Sequence, residues 1–183
     1  MTDKATTGTG TRAAELITAS MVDVPDFPQP GVLFKDLTPL FADGPAFRGV
    51  IDAIAERYDG GFDVVVGVEA RGFVIAAAVA YATGMGVVPV RKKGKLPRPT
   101  FSASYALEYG EATLEVHQDA FVAGQRVLLL DDVLATGGTV EAAAALVGRA
   151  GGSVAGVCVL LELSFLGGRR RLGDLPLTAL VTI

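Results

Sequence analysis

Short apolar runs recur along the chain, and two of them are followed by a turn and an Ala-rich segment. The run Phe62–Val68 precedes the Ala-rich Phe73–Thr83, and Arg126–Leu130 precedes Val140–Arg149. Further apolar runs occupy Val87–Val90, Val154–Leu161 and Leu177–Ile183. Short apolar runs between turns are typical of strands buried on both faces, and strand–helix alternation is typical of parallel sheets. The sequence therefore predicts an α/β fold with a mostly parallel twisted sheet and helices on both faces.

Length and charge limit the class of protein. A chain of 183 residues suits one domain, and the first 11 residues, polar and rich in Thr and Gly, predict a disordered tail ahead of a single domain over residues 12–183. The formal net charge of -4 argues against nucleic acid or an anionic membrane as a partner. No apolar stretch is long enough to span a bilayer, so we expect a cytoplasmic protein.

The remaining segments predict smaller elements around the sheet. Arg12–Met21 has short helical character, and the prolines of Val24–Pro30 predict an ordered loop. Apolar residues spaced along one face predict a helix over Pro45–Tyr58. Polar and apolar residues alternate in the second half of Pro97–His117, which predicts a hairpin outside the main sheet, with His117 at its surface.

The segment with the most specific chemistry is Val127–Thr139, which reads VLLLDDVLATGGT. A loop of Thr and Gly after a parallel strand presents backbone N–H groups and hydroxyls at a helix N-terminus, where a phosphate dianion binds well. The carboxylates of Asp131 and Asp132, just before that loop, can accept hydrogen bonds from two vicinal hydroxyls. The segment therefore predicts a ribose 5-phosphate site.

This segment resembles the phosphoribosyl-diphosphate signature of type I phosphoribosyltransferases, and four further motifs extend the resemblance. They are FPQPGVLFKD from Phe27, EARGF from Glu69, RKKGKLP from Arg91 and SYALEYG from Ser104. Together they are similar to the adenine phosphoribosyltransferase family over roughly Val24 to Leu166. The resemblance implies a type I phosphoribosyltransferase fold with a small hood at about 12–40 and a flexible catalytic hairpin at about 97–117.

The resemblance also assigns the sugar and diphosphate contacts. Asp131 and Asp132 would hold the ribose hydroxyls. The 5-phosphate would be bound by Ala135, Thr136, Gly137, Gly138 and Thr139. The diphosphate would be bound by Ala70, Arg71, Arg91, Lys92, Lys95 and Tyr109, and the resemblance implies a cis peptide between Glu69 and Ala70.

On the base side, the resemblance implies that Phe34 stacks on adenine, that backbone groups near Leu33 and Lys35 bind its exocyclic amine, and that Leu163 supplies a second apolar wall. Lys35 stands where related enzymes often have Arg, which keeps the charge but loses the planar fork. Glu108 would be the catalytic residue, and it would either assist deprotonation of adenine N9 or stabilise oxocarbenium charge.

The implied reaction joins adenine to 5-phosphoribosyl 1-diphosphate and releases AMP and diphosphate. Mg²⁺ would be bound chiefly by the diphosphate and ribose oxygens of the substrate, with no direct protein ligand. The sequence also has no His/Cys cluster for a protein-held transition metal. The resemblance further implies a homodimer. Two alternatives stay open: a phosphoribosyltransferase for another base, and a non-catalytic regulator that binds phosphoribosyl diphosphate.

Overall fold

The computed structural model describes residues 6–106 and 111–183. By its internal contacts the chain divides into two compact units, Met1–Arg57 and Tyr58–Ile183, where the sequence predicted one domain with a hood at about 12–40. The hood elements thus belong to a larger unit that ends at Arg57. No helix in the described ranges is both long and apolar enough to cross a membrane.

The first unit contains three helices and a two-stranded antiparallel sheet. Its elements are α1 (Thr6–Ser20), β1 (Val22–Pro25), β2 (Leu33–Asp36), α2 (Thr38–Ala42) and α3 (Gly44–Arg57). The helix predicted over Pro45–Tyr58 is confirmed as α3, whose buried face includes Val50 and Ile54. Helix α1 begins at Thr6, so residues 6–11 are helical where a disordered tail was predicted.

The Pro-rich segment also differs from its prediction, because Val24 and Pro25 belong to strand β1 and pair with β2. The chain leaves this strand through Asp26, whose φ is 56°, and a cis peptide joins Phe27 to Pro28. Asp26 Oδ1 accepts a hydrogen bond from Gly31 N at 2.8 Å, which closes the loop before β2.

The second unit is built on a seven-stranded sheet of order β5-β6-β4-β3-β7-β8-β9. Its strands and helices are β3 (Val64–Val68), α4 (Arg71–Thr83), β4 (Gly86–Lys92), β5 (Thr100–Ala106), β6 (Glu111–His117), β7 (Arg126–Leu134), α5 (Gly138–Arg149), β8 (Ser153–Glu162), α6 (Gly168–Arg171) and β9 (Leu177–Thr182). Strands β4, β3, β7, β8 and β9 pair in parallel, and the β5–β6 hairpin adds to β4 in antiparallel register. The predicted parallel sheet and the hairpin are therefore confirmed, but the prediction that the hairpin lies outside the main sheet is wrong, because β6 pairs with β4 and extends that sheet.

The pleat of β3 shows which helix covers which face. Val64, Val66 and Val68 belong to the apolar cluster that includes Leu146 and Val147 of α5. Gly67 points the other way, because a Cβ built there would lie 2.7 Å from Ala76 Cβ of α4. Alternate residues of a strand point to opposite faces, so α4 and α5 cover opposite sides of the sheet, as predicted.

The chain's one cysteine and one histidine lie in different surroundings. Cys158 is buried at 1% exposure in the centre of β8. His117 is half-buried at the end of β6, and its Nδ1 atom is buried without a hydrogen-bond partner among the described residues. The prediction of His117 as a surface residue is therefore wrong in part.

Candidate active site

The acid pair lies inside a strand, not in the loop that follows it. β7 continues past the apolar run to Leu134, and Asp131 and Val133 still pair with Val159 and Leu161 of β8. Sheet hydrogen bonds therefore hold the backbone that carries both carboxylates. Asp131 is 9% exposed and Asp132 is 5% exposed.

Burial sets the protonation behaviour of the acid pair. Loss of water around Asp131, together with the charge of Asp132, raises the pKa of Asp131 well above its usual range. Burial also raises the pKa of Asp132, although the Arg71 guanidinium opposes this. Asp132 Oδ2 receives no hydrogen bond of normal geometry from the described residues, while Arg71 Nε lies 2.6 Å away as an ion pair. Asp132 Oδ2 can thus accept a further hydrogen bond, which a ligand with hydroxyl groups would supply.

The small-residue loop follows directly and leads into α5. Gly137 has a φ of 85° and Gly138 begins the helix, whose first N–H groups lack intrahelical partners. The structure therefore places Ala135, Thr136, Gly137, Gly138 and Thr139 in one turn at the N-terminus of a helix. Such a turn suits a phosphate, because N–H groups and the helix dipole both favour an anion.

Glycines allow this loop to pack against α6. A Cβ on Gly137 would lie 2.7 Å from Gly168 O, and one on Gly168 would lie 2.2 Å from Ala135 O. Helix α6 is itself anchored, since Arg169 forms an ion pair of 2.6 Å with the buried Glu162 at the end of β8. Close backbone contacts with the start of α6 thus fix the position of the loop.

The EARG turn lies at the end of the neighbouring strand β3. The peptide between Glu69 and Ala70 is cis, as the resemblance implied, and Ala70 precedes the first residue of α4, Arg71. A Cβ on Gly72 would lie 2.9 Å from Leu130 O and 3.1 Å from Asp131 Oδ1. The missing side chain lets this turn lie directly against the acid-bearing end of β7.

The cationic segment Arg91–Lys95 contacts the same turn through Glu69. Glu69 Oε2 lies 3.3 Å from Arg91 Nε and accepts the Lys92 backbone N–H at 3.0 Å, while Glu69 Oε1 lies 3.0 Å from Lys95 Nζ. The Lys92 side chain is exposed. Arg71, Arg91 and Lys95 are thus each tied to an acid at the carboxyl ends of β3 and β7.

The base-side residues fall in both units. Leu33, Phe34 and Lys35 form β2 of the first unit, where Phe34 packs edge-on against Phe27 with ring centroids 5.0 Å apart. Lys35 Nζ bonds Asp23 Oδ1 across the sheet at 2.7 Å, so its charge is already paired. Leu163 belongs to the second unit, is half-buried, and donates its N–H to Leu134 O at 2.9 Å.

Two predicted residues lie outside the described residues: Glu108, assigned to catalysis, and Tyr109, assigned to diphosphate binding. Their hairpin strands β5 and β6 are in register on either side of them, with Ala106 opposite Glu111. The assignments of these two residues therefore stay predictions.

Sequence reasoning missed three contributors to the site: Glu69, Gly168 and Arg171. Glu69 was noted only as part of a motif. Arg171 Nε forms an ion pair of 2.6 Å with Glu141 in the first turn of α5, and Arg171 Nη1 would lie 3.3 Å from a Cβ on Gly138. The Gly-Gly pair before three arginines, just after β8, was the available signal.

Comparisons with known proteins agree with this geometry. A family model described as "Phosphoribosyl transferase domain" matches residues 40–172. The adenine phosphoribosyltransferase of Salinispora tropica is 68% identical over 189 residues, with both chains covered completely. The crystal structure of the Thermoanaerobacter pseudethanolicus adenine phosphoribosyltransferase has a TM-score of 0.89 at 46% identity, covering 93% of this chain and 99% of that one.

A third relative carries ligands. The Saccharomyces cerevisiae adenine phosphoribosyltransferase, complexed with an imino-altritol bisphosphate and adenine, has a TM-score of 0.88 at 37% identity, covering 92% of this chain and 98% of that one. The sequence relatives and solved structures agree with each other over nearly the whole length, and the family model agrees with them over residues 40–172. This chain belongs to the adenine phosphoribosyltransferase family of type I phosphoribosyltransferases.

Proposed function

We propose that this chain transfers the 5-phosphoribosyl group of 5-phosphoribosyl 1-diphosphate to N9 of adenine, giving AMP and diphosphate. The observation that carries the proposal is the buried acid pair Asp131–Asp132, which leads along β7 into the glycine turn at the start of α5. One ligand that bears vicinal hydroxyls and a phosphate matches both features. The choice of adenine rests on the relatives, which are named for that base.

In the proposed reaction the C1–O bond to diphosphate breaks and the C1–N9 bond to adenine forms. The turn from Ala135 to Thr139 holds the 5-phosphate, and Asp131 and Asp132 accept hydrogen bonds from the ribose hydroxyls. Arg71, Arg91 and Lys95 stabilise the negative charge that builds on the departing diphosphate. The N9 proton leaves adenine as the new bond forms, and Glu108 either takes this proton or stabilises oxocarbenium charge at C1.

Mg²⁺ fits this site as a substrate-borne ion. The described ranges contain no group of three or more His, Cys, Asp and Glu side chains that could hold a metal. The acid pair, with its unsatisfied Asp132 oxygen, offers hard oxygen acceptors to hydroxyls or to metal-bound water. When bound, Mg²⁺ would neutralise diphosphate charge, and the protein side chains would orient the sugar.

Adenine recognition is proposed for β2 and Leu163. The Lys35 charge is paired with Asp23, so Lys35 would contribute its backbone and not its ammonium group. Phe34 is half-buried and contacts Phe27 edge-on, and its ring would stack on the purine. Backbone groups of β2 would then distinguish an exocyclic amine from an exocyclic oxygen.

A homodimer is proposed as the working form. Val74 and Tyr81, seven residues apart on one side of α4, are 43% and 93% exposed, and Met85 and Val87 near the start of β4 are 39% and 46% exposed. An apolar set of this kind, close in sequence to the diphosphate-binding segment, suits a subunit interface. A cytoplasmic location remains a prediction from the sequence.

One assay tests the function. The purified protein is incubated with Mg²⁺, 5-phosphoribosyl 1-diphosphate and, separately, adenine, hypoxanthine, guanine, xanthine or orotate, and nucleotide formation is followed. We expect AMP from adenine and little product from the other bases. Product only from another base would contradict the adenine assignment. Absence of product with every base, while phosphoribosyl diphosphate still binds, would favour the non-catalytic regulator.

A further inference from the structure

The Glu69 carboxylate contacts several residues of the cationic segment Arg91–Lys95. Glu69 follows β3 directly, and its side chain is only 10% exposed. One of its oxygens meets Arg91 Nε and the Lys92 backbone N–H, and the other meets Lys95 Nζ. Glu69 therefore contacts the side chains of Arg91 and Lys95 and the backbone at the end of β4.

These contacts leave donors over for a ligand. The Arg91 guanidinium has five N–H groups, of which Nε faces Glu69 and Nη1 donates to Lys95 O at 3.1 Å. The Lys95 ammonium has three N–H groups, and one of them donates to Glu69 Oε1. The two side chains are 33% and 50% exposed, so their other donors remain accessible to an anion.

Electrostatics and conformational entropy both favour a site in which Glu69 holds Arg91 and Lys95 before the ligand binds. Burial alone would raise the pKa of Glu69, but hydrogen bonds from Lys95 and the Lys92 N–H, with the charges of Lys95 and Arg91, together lower it. An ionised Glu69 faces two cations, so the cluster keeps an excess positive charge. Long side chains that are ordered in advance lose less freedom when the ligand binds.

We propose that Glu69 is a positioning residue: it orients Arg91 and Lys95 so that they bind the diphosphate group of 5-phosphoribosyl 1-diphosphate, and it acts through them without touching the ligand. This inference rests on the proposed function, because it assigns those cations to diphosphate. It adds an anionic residue to a subsite made of cations. Removing a negative charge from an anion site ordinarily strengthens anion binding. The proposal predicts the opposite for Glu69, namely that its removal weakens diphosphate binding.

The chain offers a matched control in Glu115. This glutamate is 7% exposed, accepts the Gly94 backbone N–H at 2.9 Å within the same cationic segment, and lies opposite Arg91 in the β4–β6 pairing. Among the described residues, no hydrogen bond or ion pair joins Glu115 to the Arg91 or Lys95 side chain. Glu115→Gln therefore removes the same charge from the same neighbourhood without releasing the two cations.

Calorimetry with Mg²⁺-diphosphate tests the proposal without requiring turnover. We expect Glu69→Gln to weaken diphosphate binding and to raise KM for phosphoribosyl diphosphate by about tenfold, the scale of two side chains losing their order. KM for adenine should change less than about twofold, and Glu115→Gln should leave diphosphate binding within about twofold of wild type. Binding by Glu69→Gln as tight as wild type, or equal losses in both variants, would overturn the proposal.

A double-mutant cycle separates positioning from a general structural effect. If Glu69 acts through Lys95, the losses in Glu69→Gln and Lys95→Met should be clearly less than additive in the double variant. Full additivity would overturn the proposal. Should Glu69→Gln fail to fold, Glu69→Asp carries the test, because its shorter carboxylate cannot meet both cations. Wild type that binds diphosphate but makes no nucleotide would contradict the proposed function and leave the positioning role standing.

Discussion

The closest backbone contact behind the phosphate loop makes Gly168→Ala an informative substitution. Gly168 begins α6, and its φ lies outside the left-handed region, so alanine suits its backbone. Space is the obstacle. The new Cβ would lie 2.2 Å from Ala135 O, 3.0 Å from Gly137 N and 3.1 Å from the Thr136 carbonyl carbon. All three neighbours are backbone atoms of the proposed phosphate-binding turn.

The size of the required shift sets the magnitude. Cβ atoms in proteins essentially never approach another atom closer than 3.0 Å, so Ala135 O and the new methyl must separate by at least about 0.8 Å. Overpacking of this kind costs about 1–3 kcal/mol, which for a chain of this size corresponds to roughly 2–12 °C in Tm. A displacement approaching 1 Å in a positioning group costs about 10²-fold in rate.

We therefore expect Gly168→Ala to fold and to lose about 10²-fold in kcat/KM for phosphoribosyl diphosphate, with KM for adenine nearly unchanged. Steady-state kinetics and thermal unfolding measure both effects. Gly148→Ala is the control, since Gly148 is exposed in α5, has no atom within 4 Å of its built Cβ, and should gain up to about 1 kcal/mol of helix stability. Wild-type kinetics in Gly168→Ala would refute the assignment of this turn to the phosphate.

Three further outcomes are expected. Glu108→Ala should lose about 10²-fold or more in kcat while phosphoribosyl diphosphate still binds, and near-normal turnover would remove Glu108 from the mechanism. Because the pKa of Asp131 is raised in the folded state, the fold loses stability as the pH rises above the ordinary pKa of an Asp side chain, so Asp131→Asn should unfold at a higher temperature than wild type at pH 7.5 and should weaken substrate binding. The difference in Tm should shrink toward pH 4, and a lower Tm for Asp131→Asn at pH 7.5 would contradict the direction of that pKa shift. Tyr81→Glu should halve the mass measured by light scattering if Tyr81, 93% exposed in one chain, lies in a dimer interface; a monomeric wild type would contradict the homodimer.

The sequence predicted the parts of the fold that local chemistry controls. The apolar runs located the parallel strands, and the acid–glycine segment located the turn before α5. The strand bearing the acids was predicted too short, because its apolar pattern stops at Leu130 while pairing with β8 continues to Leu134. Backbone hydrogen bonds from a neighbouring strand hold a polar residue as well as an apolar one, and the sequence of a single strand does not show them.

The start of α1 was missed for a related reason. Gly and Thr have low helix propensity, yet the helix begins at Thr6 and is anchored further on by Ala13 and Ile17, at 1% and 0% exposure. The roles of Glu69 and Gly168 were missed because each depends on contacts with residues more than 20 positions away, in the cationic segment and in the phosphate turn. Spacing along the chain gives no measure of such contacts.

The two central strands end in groups of opposite electrical character, and in the proposed reaction one substrate would use both. At the end of β7 lie two buried carboxylates, and one of their oxygens, Asp132 Oδ2, accepts no hydrogen bond from the described residues. Beyond β3, the cations Arg91 and Lys95 outnumber the Glu69 carboxylate that they contact. A simple anion would suit the second group and be repelled by the first. A ligand with ribose hydroxyls on one side and diphosphate on the other suits both. Arg71, which begins α4 and pairs with Asp132, connects the two groups, because its charge partly compensates the acids and adds to the cationic side. Under the proposed function, the sheet would thus select a sugar phosphate by placing donors and acceptors at neighbouring strand ends, where neither half alone would be specific.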